Sequence, residues 1–168
     1  MKNYISTQVN SGKQGSVGII NLQRCNSLNA LNHAMLQTIY NKLRDWQYDE
    51  TVIAVIIHSS CTNVFCAGGD IREIYAQREN AIQETMRFFN LEYRLNYLIS
   101  QYPKPYISLL DGITIGGGVG ISLHGNYPIA TEKFSFAMPE TSIGFFPDIG
   151  GSYLLAKCPG KIGTYLAL

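Results

Sequence analysis

The chain has 168 residues, 46% hydrophobic and only 15% charged, with 13 basic against 12 acidic side chains for a formal net charge of +1. That length supports one core-bearing domain, and the sparse charge means that much of the chain is buried. A near-neutral balance supplies no field for nucleic acid or an anionic membrane, and no apolar run reaches the length of a membrane-spanning helix. The four cysteines, Cys25, Cys61, Cys66 and Cys158, form no C-x-x-C pair, and no His/Cys cluster has zinc spacing, so no metal site is expected. They could close two disulfides. The N-terminal residues carry no apolar export segment, so reduced thiols in a cytosol-like compartment are the expectation.

In chain order, Tyr4–Val9 reads as a first strand, NSGKQG as a turn and Val17–Leu22 as the second strand of a hairpin. Met35, Leu36, Ile39, Leu43 and Trp46 then recur at helical spacing, which predicts an amphipathic helix of about four turns. Val52–Ile57 is a continuous apolar run, the pattern of a strand buried on both faces. A loop tightens onto Ala67-Gly68-Gly69-Asp70, and a short helix is expected over Ile71–Ala76. Ala81–Ile99 reads as a long helix with Ile82, Met86, Phe89, Tyr93 and Tyr97 on its apolar side, ended by Pro103 and Pro105. Tyr106–Leu110 is another buried strand; Gly116-Gly117-Gly118 leads into a helix over Val119–His124; Tyr127–Ala130 and Phe134–Ala137 are further strands. Strands alternating with helices give the α/β class. The last residues, GKIGTYLAL, read as a helix begun without a stop signal, so 1–168 is expected to be a core domain truncated at its C-terminal end.

Two glycine-rich turns follow two buried strands, at Gly68-Gly69 and at Gly116-Gly117-Gly118. Such turns bring backbone N–H groups close to a ligand, and two converging N–H groups make an oxyanion hole. Ordinary tight turns, or close helix–sheet packing, would account for the same glycines. Other glycine motifs fail: there is no G-x-G-x-x-G, no phosphate-binding G-x-x-x-x-G-K-[ST], and His124 replaces the last glycine of a G-x-S-x-G around Ser122. His124 itself reads as a packed or surface side chain. Glu140 and Asp148 lie among Phe136, Met138, Ile143, Phe145, Phe146 and Ile149. A carboxylate in apolar surroundings has its pKa raised toward working pH, which suits a general acid/base or a nucleophile. Asp148, ahead of Ile149-Gly150-Gly151, would equally serve as a helix cap.

The segments LNAL (28–31), FCAGGDIR (65–72), EYRLN (92–96), PKPY (103–106), DGITIGGGVGISLHG (111–125) and FAMPETSIGFFPDIGGS (136–152) resemble the crotonase, or enoyl-CoA hydratase/isomerase, superfamily. Within it they look most like the 3-hydroxyisobutyryl-CoA hydrolase branch. The resemblance implies a ClpP/crotonase spiral of ββα units, with stacked sheets wrapped by helices. It implies oxyanion donors at Gly69 and Gly117, catalytic acids at Glu140 and Asp148, and a substrate-contacting acid at Glu92. Ser27 and Leu28 would run along the CoA moiety; Ala67 and Gly68 would meet its adenine end, and the same loop continues through Asp70, Ile71 and Arg72. Asn26 stands where the family carries a lysine able to meet CoA phosphates, leaving Arg24 or Arg72 to substitute. Hydratases carry a further glutamate where this chain has Gly120.

The implied reaction is hydrolysis of an acyl-CoA thioester, 3-hydroxyisobutyryl-CoA of valine breakdown above all, with Glu140 as nucleophile or as base. Enoyl-CoA hydration or isomerisation, and an inactive fragment or acyl-CoA-binding half that needs a partner chain, are the alternatives. CoA is then part of the substrate, and no separate cofactor is expected. The partner is acyl-CoA, not nucleic acid or a membrane; assembly of identical chains stays open. The compartment is cytoplasmic, or the mitochondrial matrix in a eukaryote.

Overall fold

The structure is a computed structural model and describes residues 4–76 and 81–167. The N-terminal reading over residues 1–3 and the last residue of the C-terminal helix lie outside the described residues. Strands β1 (Ile5–Gly12) and β2 (Gly15–Leu22) form the expected hairpin. Helix α1 (His33–Tyr48) begins at Asn32, whose side-chain oxygen accepts the Met35 N–H at 3.0 Å. That bond satisfies one of the amides a helix start leaves open. The predicted stripe of Met35, Leu36, Ile39, Leu43 and Trp46 is the buried face, each side chain contributing about 1.5–3 kcal/mol by leaving water. Gly18 lets Trp46 lie against β2, since a Cβ there would come within 2.6 Å of the indole.

From Val52 the chain repeats one unit. A strand joins a large sheet, a three-residue strand joins a small sheet, and helical chain follows. The first unit is β3 (Val52–Ser59), β4 (Val64–Cys66), α2 (Ile71–Ala76) and α3 (Ala81–Ser100). The second is β5 (Tyr106–Leu110), β6 (Ile113–Ile115) and α4 (Gly117–Gly120). The third is β7 (Tyr127–Ala130), β8 (Ser135–Ala137), a 3-10 turn over Glu140–Ile143 and α5 (Gly151–Ala156), with α6 (Ile162–Ala167) after it. The large sheet has the order β1-β2-β3-β5-β7 and the small one β4-β6-β8. All pairs are parallel except β1–β2. This is the expected spiral of ββα units. One core of Ile20, Leu22, Leu36, Ile39, Ile57, Phe65, Leu95, Ile99 and Tyr106, among others, joins the large sheet to α1 and α3.

Several local expectations change. β3 is not buried on both faces: Val52, Val55 and Ile57 face the core while Ile53 is 45% exposed. β4 is a strand where a loop was expected, β6 is a strand in a stretch left unassigned, and α4 covers Gly117–Gly120 rather than Val119–His124. Helix α3 is rotated from its predicted stripe, of which Phe89 packs only partly against the core and Tyr93 is 41% exposed. Ile82, Met86 and Tyr97 are 83%, 64% and 71% exposed, whereas Phe88, Leu91, Glu92, Leu95, Asn96 and Ile99 are buried. Two stripes at helical spacing compete on this helix. The one that packs carries Glu92 and Asn96, which hydropathy alone counts against it.

The expectation of four reduced thiols also changes: Cys25 and Cys61 are joined in a disulfide, while Cys66 and Cys158 are free. The 3-10 turn over Cys25–Ser27 brings Cys25 to the loop between β3 and β4 across 36 residues of sequence. No local pattern announces such a pairing. His124 is packed, with Nε2 2.6 Å from the Ile149 carbonyl oxygen.

Candidate active site

The small sheet sets the geometry. Its strands are parallel neighbours, so their C-terminal ends open on the same side. β4 delivers Ala67-Gly68-Gly69, β6 delivers Gly116-Gly117, and β8 delivers Pro139-Glu140. These junctions, with Glu92 of α3 and Asp148, line one cleft of about 500 Å³. The remaining walls are apolar and include Ile71, Phe88, Phe89, Ile143 and Phe145; the Phe89 and Phe145 rings stack at 5.7 Å.

The two glycine junctions face each other. A methyl group placed on Gly117 would lie 3.4 Å from the Gly69 nitrogen, and one on Gly68 would lie 3.5 Å from the Gly117 nitrogen. Neither N–H serves the backbone ladder: Leu31 bridges to Gly69 through the Gly68 carbonyl and the Asp70 N–H, and Gly117 opens a helix. Gly116 turns the chain at φ 48° and ψ −120°, a conformation that glycine alone adopts cheaply. Two free donors side by side at the rim of an apolar cleft are able to hold one oxygen on which negative charge builds.

Three carboxyl groups surround that point, and among the described residues no Lys, Arg or His lines the cleft. Glu92 is 3% exposed, and its Oε1 occupies the space that a Gly117 side chain would need. Burial, helped by the nearby Asp148 and Glu140 charges, pushes its pKa up to about 8. Glu140 Oε1 lies 2.9 Å from where a Gly116 Cβ would sit, while Oε2 is buried without a hydrogen-bond partner. Desolvation raises the Glu140 pKa, with a smaller push from Asp148. Asp148 is raised by desolvation against the opposing pull of Tyr93, whose hydroxyl donates to its Oδ2 at 2.8 Å. It is not the cap of α5: Gly150 holds that position with no side-chain cap bond, while the Asp148 carbonyl accepts the Gly151 N–H.

The structure thus gathers Gly69, Gly117, Glu92, Glu140, Asp148, Ala67, Gly68 and Ile71 around one cleft. Ser27, Leu28, Asp70 and Arg72 stand outside it. The Leu28 carbonyl accepts the Ala67 N–H at 3.0 Å, so the segment with Ser27 flanks the cleft rather than lining it. The Asp70 side chain caps α2 through the Glu73 N–H at 3.0 Å and pairs with Arg24 at 2.6 Å. Arg24 also donates to the Ala30 carbonyl and lies over the Tyr4 ring, so it is committed within the protein. Arg72 is exposed. Sequence reasoning missed Tyr93 as a partner of Asp148, having placed it on an apolar stripe. It also missed Asn96, one turn beyond Glu92 on α3. The Asn96 amide fills the space beside Gly120, where a Cβ would meet Oδ1 at 2.7 Å, and both of its polar atoms are buried without partners. The spacing of Glu92 and Asn96 is the signal that would have found it.

A spiral of ββα units with two opposed backbone donors at the ends of its small sheet defines the crotonase class of folds. The chain belongs to the enoyl-CoA hydratase/isomerase family, whose sequence profile matches residues 17–168. It is 49% identical over 156 residues to a mitochondrial 3-hydroxyisobutyryl-CoA hydrolase of Gallus gallus, covering 93% of this chain and 40% of that protein. Among solved structures, a carnitinyl-CoA dehydratase of Mycobacterium thermoresistibile superposes with a TM-score of 0.91 at 42% identity, over 99% of this chain and 48% of the other. An enoyl-CoA hydratase of Rhodobacter sphaeroides follows with 0.86 at 40% identity, over 96% and 48%. The chain therefore spans less than half the length of these relatives.

Proposed function

We propose that this chain carries the site of an acyl-CoA thioester hydrolase, acting on 3-hydroxyisobutyryl-CoA to give 3-hydroxyisobutyrate and CoA, a step of valine breakdown. The observation that carries the reading is the set of acids. Glu140 and Asp148 reach the cleft, whereas position 120 offers only a glycine Cα pressed against the Asn96 amide. Splitting water across a C=C bond calls for a second carboxylate opposite Glu140; cleaving a thioester does not. The relatives named 3-hydroxyisobutyryl-CoA hydrolase support the same choice.

In the proposed reaction the thioester carbonyl oxygen lies between the N–H groups of Gly69 and Gly117. Removing one such donor typically costs about 2.7–4 kcal/mol of barrier. Glu140, its pKa raised by the apolar wall, takes the proton of an attacking water or attacks the carbonyl itself. As the tetrahedral adduct collapses and the C–S bond breaks, the departing sulfur takes the proton that Glu140 removed from water; where Glu140 itself attacks, the sulfur takes a proton from solvent, and a water then splits the Glu140 acyl anhydride to release the acid and restore the carboxylate. Glu92, which keeps its proton at neutral pH, and Asp148, held by Tyr93, receive the substrate hydroxyl. CoA enters as part of the substrate, and the chemistry of this site calls for no further cofactor. The compartment we propose is the cytosol or, in a eukaryote, the mitochondrial matrix.

Free CoA released from 3-hydroxyisobutyryl-CoA, with no hydration of crotonyl-CoA, is the expected result. Hydration at a comparable rate would replace this reading with the enoyl-CoA hydratase one, which the names of the solved neighbours favour. Binding without turnover of either substrate would favour an acyl-CoA-binding half. Turnover in oxygen-18 water separates nucleophile from base, because label enters Glu140 only through a covalent intermediate.

A further inference from the structure

We propose that Cys25 and Cys61 form a reversible thiol–disulfide site whose oxidation state sets the order of the strip that places the Gly69 donor; its consequence for ligand binding rests on the acyl-CoA reading above. Cys25 is exposed at the start of its 3-10 turn, while Cys61 is 8% exposed in the loop between β3 and β4. Their α-carbons are 5.2 Å apart. The turn continues into two successive left-handed residues, Leu28 at φ 50° and Asn29 at φ 54°. Neither has glycine's freedom, and Leu28 is 48% exposed, so burial does not hold it there. Such a backbone persists only where its surroundings impose it.

Two clamps tie the turn to the chain around β3 and β4, beside the Arg24 side chain, which donates to the Ala30 carbonyl and pairs with Asp70 at 2.6 Å. The inner one is Asn29, fully buried, whose amide donates to Ser59 Oγ at 2.8 Å and to the Phe65 carbonyl at 2.9 Å. Its side-chain oxygen accepts the Arg24 N–H at 2.7 Å. The outer clamp is the disulfide, which crosses from the same turn to the same loop. From these ties the strip 28–31, with Asn29 inside it, runs beside the Gly69 loop. The Ala67 N–H donates to Leu28, the Leu31 N–H donates to Gly68 at 2.7 Å, and the Asp70 N–H donates to Leu31 at 2.8 Å. Gly69 sits inside this ladder, so its N–H points where the strip directs it.

The chemistry needs a low-molecular-weight monothiol and its disulfide. A thiolate attacks the sulfur of Cys25, the exposed residue of the pair; the S–S bond breaks with its electron pair on Cys61, which takes up a proton. A second thiolate then attacks the mixed disulfide, freeing Cys25 as a thiol and releasing the small disulfide. Two electrons pass from two small thiols to the protein, and the reverse reaction uses the small disulfide as oxidant. In a reducing compartment a disulfide open to attack is a regulated link rather than a permanent staple. Cys66 and Cys158 take no part: Cys66 is buried and donates to the Asn29 carbonyl, and Cys158 lies beyond α5.

The test uses the protein equilibrated in glutathione buffers of high and low disulfide fraction. Hydrogen exchange is followed over residues 25–31 and 66–70, and affinity is measured for S-methyl-CoA, a thioether that cannot itself reduce the link. Reduction is expected to speed exchange at least tenfold in both segments and to weaken S-methyl-CoA at least fivefold. Cys25→Ser, at an exposed position, should match the reduced protein in both buffers, while Cys158→Ser should respond like the wild type. Unchanged exchange over 66–70, or four titratable thiols in the oxidising buffer, overturns the proposal. Should S-methyl-CoA bind neither form, the acyl-CoA reading falls, and the exchange data still decide the link.

Discussion

In the proposed mechanism the two glycine junctions of the small sheet do the same job, and the structure holds them by different means. At the end of β6, Gly116-Gly117-Gly118 is fixed by contact: side chains there would run into Glu140, Glu92 and the Cys66 carbonyl respectively. At the end of β4, Gly69 is bounded less tightly, and only by a side chain. The nearest atom to a Cβ there is the Phe88 ring edge at 3.2 Å, and the loop is held by the neighbouring strip 28–31. The lesson is that one donor of the pair is part of the packed core and the other hangs from a separable segment. The first is expected to fail by destabilising the fold, the second by losing alignment while the fold stands.

The largest effect tests the point on which both donors converge. Glu140→Gln is expected to lower CoA release by about 10²–10⁴-fold, the usual range for losing a positioned acid/base. Affinity for S-methyl-CoA should stay within threefold of wild type, since both donors remain. A variant that keeps more than a tenth of wild-type turnover would remove Glu140 from the mechanism. The comparison itself is sharpened by one matched pair. Gly118→Ala places a Cβ 2.5 Å from the backbone oxygen of Cys66, which cannot swing aside. Denaturant unfolding should show a loss of about 2–4 kcal/mol. Gly69→Ala displaces only a ring edge and should cost less than about 1 kcal/mol while lowering turnover. Equal losses of stability would break the distinction.

Next in size is a pH effect. Burial lifts Glu92 from an ordinary 4.5 to about 8. Between those values the folded chain holds a proton that the unfolded chain has released. Its contribution is complete below pH 4.5 and declines, by about 1.4 kcal/mol per pH unit at most, until the pH passes 8. Glu92→Gln keeps a hydrogen-bonding group of the same shape without the ionisation. Its unfolding free energy should vary less between pH 5 and 8, gaining on wild type as the pH rises; parallel curves would mean that Glu92 titrates normally. The smallest effect is expected at Tyr93→Phe. Loss of one hydrogen bond to Asp148 is worth about 0.5–1.5 kcal/mol, hence a several-fold fall in turnover with KM for the acyl-CoA less affected.

Much of this site is visible in the sequence, because glycine and acid positions are chemically conspicuous. Gly69 and Gly117 announce themselves by clustering after apolar runs, and Glu140 and Asp148 by standing alone among aromatic residues. The apolar run of β5 and the stripe of α1 likewise have a period to read. β4 and β6 do not: three residues are too few to display an alternation of two, so of the small sheet that organises the cleft only β8 is read as a strand. The orientation of α3 is hidden for another reason. Its buried face contains a glutamate and an asparagine, which pack there only because the glycines of α4 leave space for them.

The sequence by itself determined the α/β class, the helix α1 and the hairpin, and marked the two glycine-rich turns and the isolated Glu140 and Asp148 as candidates for chemistry, since each follows from local pattern or residue type; Glu92 was named through the family resemblance alone. Tertiary structure alone decided that β4, β6 and β8 lie side by side, that Glu92 joins Glu140 and Asp148 around one cleft, and that Cys25 meets Cys61. Those are contacts between residues far apart in the chain. They arise from parallel strand pairing and from side chains competing for the same buried space, and neither leaves a local signature.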